Sequence, residues 1–145
     1  MQTISEALEI PETLDLIIKI LDNNHTESVS LTQFHILRAI LSGLHGTEQL
    51  PRKTKWFSTD NSTAFTIQGQ YLLGFISFEN FIFTTTVEST GWVGAIGIFS
   101  SDIFVDLISC QFEGLATKNF VLVDTTEICS IQGCDFATDS IVDDP

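Results

Sequence analysis

The sequence predicts a mainly β protein, a short parallel β-solenoid of about three coils that follows an N-terminal helical hairpin. Two observations predict the solenoid. After residue 55, β-branched and aromatic residues dominate, and no helical period persists for more than one turn. An apolar-x-Phe tripeptide also recurs, ending at Phe83, Phe112 and Phe136. Spacings in the twenties are typical of solenoids, in which each coil buries its inner face on its neighbours.

The repeat extends beyond the tripeptide. Apolar residues stand three and five positions before each tripeptide, and a further apolar patch precedes them, beginning at Phe65, Ile96 and Phe120. We therefore expect Phe83, Phe112 and Phe136 to form one internal stack, with Phe57 as a candidate first member. Phe81, Cys110 and Cys134 should form a neighbouring ladder or lie on the opposite face. A β-sandwich remains the alternative, because its strands recur at similar intervals.

Residues 56–140 also resemble a known family. The patch Gly94-Ala-Ile96 follows a small polar turn, and Cys110 and Cys134 begin two of the tripeptides. This region resembles right-handed parallel β-helix proteins of the pectin-lyase-like kind, especially the degenerate repeats of polymorphic outer-membrane-type surface proteins. The resemblance implies a right-handed parallel β-helix over 56–140. Because such folds include polysaccharide lyases and glycosidases, it also implies a carbohydrate-active enzyme as an alternative function.

Residues 1–50 are predicted as a separate helical unit, with a hairpin over 11–46. The first helix spans 11–22, and the second spans 31–44. Apolar residues recur at spacings of three and four in both: Leu14, Ile17, Ile18 and Leu21, then Leu31, Phe34, Leu37, Leu41 and Leu44. We expect this hairpin to cover the open N-terminal end of the solenoid.

The connection between these helices resembles an EF-hand loop. Oxygen-bearing side chains alternate along it, at Asp22, Asn24, Thr26, Ser28, Ser30 and Gln33. The resemblance implies that these residues bind Ca²⁺. Glu27 stands where the loop needs glycine, and Gln33 replaces the bidentate glutamate, so weak binding is expected. The alternative is a polar turn without metal, and no other cofactor is expected.

The three cysteines are expected to be reduced. Equivalent positions on adjacent coils lie about 4.8 Å apart, so a disulfide is within reach. We nevertheless favour small apolar side chains packed inside the coil for Cys110, Cys129 and Cys134. The sequence contains no Cys-x-x-Cys pair, so nothing in it indicates a zinc site.

The net charge of −13 distinguishes between possible classes of function. It excludes a nucleic-acid-binding face, which needs Lys and Arg, and it favours a basic or cation-bridged partner, either protein or carbohydrate. A glycosidase would need converging acids, for which the candidates are Asp102, Asp106, Glu113, Asp124 and Asp135. Because Lys118 is the only Lys or Arg after Lys55, we assign no catalytic residues and predict a non-enzymatic interaction or structural module.

No signal peptide or membrane-spanning run is visible in the sequence. The expectation is therefore a cytoplasmic protein, unless the chain is a fragment of a secreted or surface protein.

Overall fold

The computed structural model describes residues 3–8, 16–32, 36–59, 63–68, 73–85, 95–99, 102–114, 121–125 and 127–136. In these ranges the chain is mainly β, as predicted. One short helix, α1 (Ile4–Leu8), precedes the strands. The strands are β1 (Leu16–Lys19), β2 (Asn24–Thr26), β3 (Val29–Leu31), β4 (Ile36–Ser42), β5 (Leu44–Gly46), β6 (Pro51–Phe57), β7 (Phe65–Gln68), β8 (Leu73–Glu79), β9 (Phe81–Thr85), β10 (Ile96–Phe99), β11 (Ile103–Ile108), β12 (Gln111–Gly114), β13 (Val121–Asp124), β14 (Cys129–Gln132) and β15 (Asp135–Phe136).

The strands form three parallel sheets. The first sheet has the order β1-β4-β8-β11-β14, the second β2-β6-β9-β12-β15, and the third β3-β7-β10-β13. The chain visits the three sheets in turn, and each strand pairs in parallel with the strand that follows it in the same sheet. A small antiparallel pair of β5 with β6 lies off this path. Parallel pairing excludes the antiparallel sheets of a β-sandwich.

The observed register confirms most of the repeat alignment. Phe112 pairs with Phe83 on one side and with Phe136 on the other, and Leu107 pairs in the same way with Phe78 and Ile131. Two positions differ from the prediction. Trp56, not Phe57, pairs with Phe83, and Val121, not Phe120, pairs with Ile96.

The turn from the first sheet to the second repeats one backbone conformation. Asn80, Ser109 and Gly133 occupy equivalent positions in three successive turns, with φ angles of 61°, 52° and 62°. Glycine and asparagine adopt this left-handed region at low cost, whereas serine does so less readily. The same local turn therefore directs the chain into the second sheet in these three turns.

The helical hairpin predicted for residues 11–46 is wrong. Where the structure describes this segment, it contains strands β1 to β4 and the start of the β5–β6 pair. In β1, Leu16 and Ile18 are partly buried while Ile17 and Lys19 are exposed, which is the period of two that a strand requires. The same residues also fit a helical spacing. Pairing with β4 decides between the two, because tertiary context overrides a weak local preference.

The second predicted helix fails for the same reason. Ala39 and Leu41 on β4 are buried and pair with Ile76 and Phe78. Leu44, which the helical pattern placed on the apolar face, is 45% exposed. Strands before residue 50 thus belong to the same three sheets as strands after residue 56.

The core runs along the inside of the three sheets. Its large members are fully buried aromatic and aliphatic side chains, supplied by all three sheets: Trp56, Phe65, Phe78, Phe81, Phe83, Phe112, Leu41, Ile67, Ile76, Ile96 and Ile98. Continuous stacking of such side chains removes a large apolar area from water at each turn.

Candidate interaction surface at the C-terminal edge

The three sheets end together at β13, β14 and β15. Each of these strands pairs with a described strand on one side only: β13 with β10, β14 with β11, and β15 with β12. A strand at the edge of a sheet presents unpaired N–H and C=O groups and is a template for another strand. The last turn therefore carries a backbone surface suited to strand addition.

The aromatic stack runs to this edge. Trp56, Phe83, Phe112 and Phe136 follow one another, with ring centroids 5.2, 5.2 and 4.7 Å apart and interplanar angles of 28°, 9° and 2°. The predicted stack is thus confirmed and begins one ring earlier, at Trp56. Its final member, Phe136, is 50% exposed, whereas Phe83 and Phe112 are buried.

A second column of inward-facing side chains also ends at an exposed residue. Leu107 on β11 is fully buried, but its partner Ile131 on β14 is 53% exposed. Ile128, just before β14, is 69% exposed. Ile131 and Phe136 are large apolar side chains at core positions, and no strand among the described residues covers them as the following turn covers Leu107 and Phe112. Contiguous exposure of this kind marks interaction sites.

Acidic side chains lie on the last strands and in the turn between two of them. Asp124 ends β13, Glu127 lies in the following turn, and Asp135 begins β15. The sequence contains no Lys, Arg or His after Lys118. A surface of one charge sign attracts partners of the opposite sign and repels copies of itself.

The N-terminal edge is different, because α1 packs against it. The helix contacts β1 and β3, the first strands of the first and third sheets, and it buries Ile4, Ala7 and Leu8. Thr3 Oγ1 accepts a hydrogen bond from the Glu6 N–H, and a Glu6 carboxylate oxygen accepts one from the Thr3 N–H. These reciprocal bonds form a capping box at the start of the helix.

Glu27 attaches this helix to the sheets. Its carboxylate accepts hydrogen bonds from the backbone N–H groups of Ile4 and Ser5, both at 2.9 Å, and from Ser5 Oγ at 2.7 Å. His25 Nε2 lies 2.7 Å from the same carboxylate. Burial raises the pKa of Glu27, but the hydrogen bonds from Ser5, Ile4 and His25 outweigh burial and hold it below its ordinary value.

Trp56 links the helix attachment to the aromatic stack. Its indole N–H donates to the Glu27 carbonyl at 2.9 Å, and its ring meets His25 edge-on at 5.8 Å. Sequence reasoning missed both Glu27 and Trp56 as structural residues. Ile4 and Ser5, the helix residues that donate to Glu27, lie more than twenty positions away in the chain, so no local pattern could have indicated these contacts.

The predicted calcium ligands do not lie in a tight loop. Asn24 and Thr26 lie on β2 in the second sheet, and Ser30 lies on β3 in the third sheet. Asp22 precedes β2, and Ser28 Oγ accepts a hydrogen bond from the Thr59 N–H. Gln33 lies outside the described residues. The helices that flank an EF-hand loop are strands here, and calcium binding stays a prediction.

The candidate acids of a glycosidase are spread over the sheets. Asp106 lies on β11 in the first sheet and Asp124 on β13 in the third, while Asp102 occupies an exposed turn. Glu113 and Asp135 share the outer face of the second sheet, on adjacent strands. Glu113 also contacts neighbours, with Thr84 Oγ1 at 3.3 Å and Lys55 Nζ at 4.0 Å.

The cysteines are free thiols. Cys110 and Cys134 occupy equivalent turn positions and donate hydrogen bonds to carbonyls of the preceding turn, Cys110 to Phe78 at 3.3 Å and Cys134 to Leu107 at 3.5 Å. Thr54 Oγ1 makes the same kind of bond to Asp22 O at 2.6 Å. Burial raises the pKa of Cys110 to about 12.

In the part of the chain that the structure describes, no group of three or more His, Cys, Asp or Glu residues is arranged to hold a metal ion. No helix among those residues is long and apolar enough to cross a membrane. Comparison with protein families, curated proteins and solved structures found no match for this chain.

Proposed function

We propose that the protein is a non-enzymatic interaction module built as a short right-handed parallel β-helix, with its binding surface at the C-terminal edge. The repeated passage through three parallel sheets supports the β-helix. Right-handedness follows from the general rule that crossover connections between parallel strands are right-handed.

The difference between the two ends supports the location of the surface. At the N-terminal end α1 covers the first strands and is fixed there by Glu27. At the C-terminal end Phe136 and Ile131 are half exposed, whereas the residues at the equivalent positions of the three preceding turns are buried. This contrast is the single observation that carries the proposal.

The chemistry of the described residues also fits a binding role. The Glu27 carboxylate, which contacts Ser5 and His25, holds a helix in place. Ser5 and His25 both contact the Glu27 carboxylate, so that carboxylate is committed to structural hydrogen bonds. Strand addition to a sheet edge uses main-chain hydrogen bonds for affinity and side-chain pockets for specificity.

Selection of binders from a displayed library of random ten-residue peptides tests the proposal. Amide hydrogen exchange of the protein with each selected peptide then locates the contact. We expect protection to increase on β13, β14 and β15. Selected peptides that protect only β1 to β3, or a library that gives no binder, would contradict an interaction surface at this edge.

A further inference from the structure

If the edge is the binding surface that we propose, the last turn determines the residue pattern of its partner. In three successive turns the inward-facing residue of the first sheet precedes the stacked ring of the second sheet by five positions. These pairs are Phe78 with Phe83, Leu107 with Phe112, and Ile131 with Phe136. A further turn added to this edge would contact the same two columns of side chains, with two residues that are again five positions apart.

The charge of the edge specifies the remaining positions. Asp135 occupies an outward position of the last turn, and all charged side chains after Lys118 are acidic. A partner with Lys or Arg at its outward positions would place opposite charges next to these acids. Opposite charges on neighbouring strands stabilise a sheet, and like charges destabilise it.

From this geometry we infer that the partner is a basic extended segment with an aliphatic or aromatic residue followed five positions later by an aromatic residue. It binds as one further parallel turn. Its first apolar side chain covers Ile131, and its ring stacks on Phe136. An outward Lys or Arg side chain of the segment faces Asp135.

The same charges argue against the other occupants. Two copies that met through their C-terminal edges would bring Asp124, Glu127 and Asp135 of each copy together. A head-to-tail contact would meet α1, which covers β1 and β3.

A synthetic peptide of sequence Val-Lys-Leu-Lys-Gly-Ala-Lys-Phe, here called the lysine peptide, tests the inference by calorimetry with the full chain. Leu and Phe stand five positions apart, and Lys occupies the outward positions. Four control peptides change one property each: Phe to Ala, an extra Gly that lengthens the spacing to six, Lys to Glu, and reversed sequence order. We expect the lysine peptide to bind and each control to bind about 5-fold more weakly. Loss of one aromatic pair raises a dissociation constant by about 2- to 10-fold.

Matched protein variants locate the contact. Phe136→Ala should weaken lysine-peptide binding about 5-fold, whereas Ile17→Ala, at a side chain 66% exposed on β1, should leave it unchanged. Asp135→Asn should weaken binding and reduce its salt dependence, because screening by salt acts on the charge contact. Far-ultraviolet circular dichroism confirms that each variant retains its fold.

Each contrary outcome has a distinct meaning. If acidic and basic peptides bind equally to an edge that Phe136→Ala disrupts, the basic partner is wrong while the binding surface stands. A dimer in sedimentation equilibrium that Phe136→Ala dissociates would make a second copy the occupant and overturn the inference. Absence of binding by every peptide at about 1 mM, with β14 and β15 amides already protected in the free protein, would overturn both the inference and the proposed function.

Discussion

The ring of Phe136 lies parallel to the ring of Phe112, with 4.7 Å between centroids and 2° between planes. The two side chains occupy the same position in successive turns, yet Phe112 is 1% exposed and Phe136 is 50% exposed. Phe112 has a stacked ring on both sides, at Phe83 and Phe136. The end of the aromatic stack is therefore also the end of the covered core.

This difference predicts unequal costs of truncation. Phe112→Ala should lower the free energy of unfolding by about 3–5 kcal/mol, because it leaves a cavity between two rings. Phe136→Ala should lower it by less than about 2 kcal/mol, since half of that side chain is already in water. Urea unfolding followed by circular dichroism measures both. Equal costs for the two variants would show that Phe136 is covered in solution.

The attachment of α1 predicts an acid-sensitive contribution to stability. The pKa of folded Glu27 lies below its ordinary value of 4.5, so the folded state favours the ionised form. This contribution is present above about pH 4.5 and is lost as the pH falls through the folded pKa. Glu27→Gln should cost about 1–3 kcal/mol near pH 7, because a charged acceptor of several hydrogen bonds is lost.

Comparison of the two proteins between pH 7 and pH 3 isolates the effect of this residue. The stability difference between wild type and Glu27→Gln should shrink as the pH falls. Glu48→Gln is the matched control, since Glu48 is an exposed acid away from the helix. A difference that stays constant with pH would contradict ionisation of Glu27 as its cause.

The positions of the thiols predict their order of reaction. Cys129 is exposed, whereas Cys110 is buried with a pKa raised to about 12. Because the thiolate is the reactive form, Cys110 should resist alkylation by iodoacetamide at pH 8 until the protein unfolds. Mass spectrometry of the digested protein gives the extent of labelling at each site. Labelling of Cys110 as fast as Cys129 in the native protein would argue against the observed packing.

The left-handed turn predicts a stabilising substitution. Ser109 has a φ of 52° at the position that Asn80 and Gly133 occupy in neighbouring turns. Asparagine tolerates this conformation better than serine. Ser109→Asn should therefore raise the free energy of unfolding by about 0.5–1 kcal/mol, as measured by urea unfolding. The control Ser130→Asn, on β14, should give no gain.

The repeat could be predicted because the same class of residue returns at each inward position. Phe83, Phe112 and Phe136 carry this signal, and their register was confirmed. Trp56 was missed because it differs in type from the three Phe residues, although it belongs to the same stack.

The N-terminal strands could not be distinguished from helices by periodicity alone. Ile17 and Ile18 fit both a helical face and a two-residue alternation, and only pairing with β4 separates these interpretations. The candidate surface was hidden for a related reason. Exposure of Ile131 depends on which strand ends its sheet, and the sequence of Ile131 and its neighbours looks like that of an internal turn.

Amide hydrogen exchange with and without the lysine peptide tests the central claim most directly. If the protein is the parallel β-helix that we propose and its C-terminal edge is open, the amides of β14 and β15 that make no hydrogen bond to β11 or β12 should exchange faster than the amides of β8 and β11 in the free protein. Saturating peptide should slow exchange on β14 and β15 and leave β1 and β3 unchanged. Unchanged exchange on β14 and β15 with bound peptide, or equal slowing at both ends, would contradict the account.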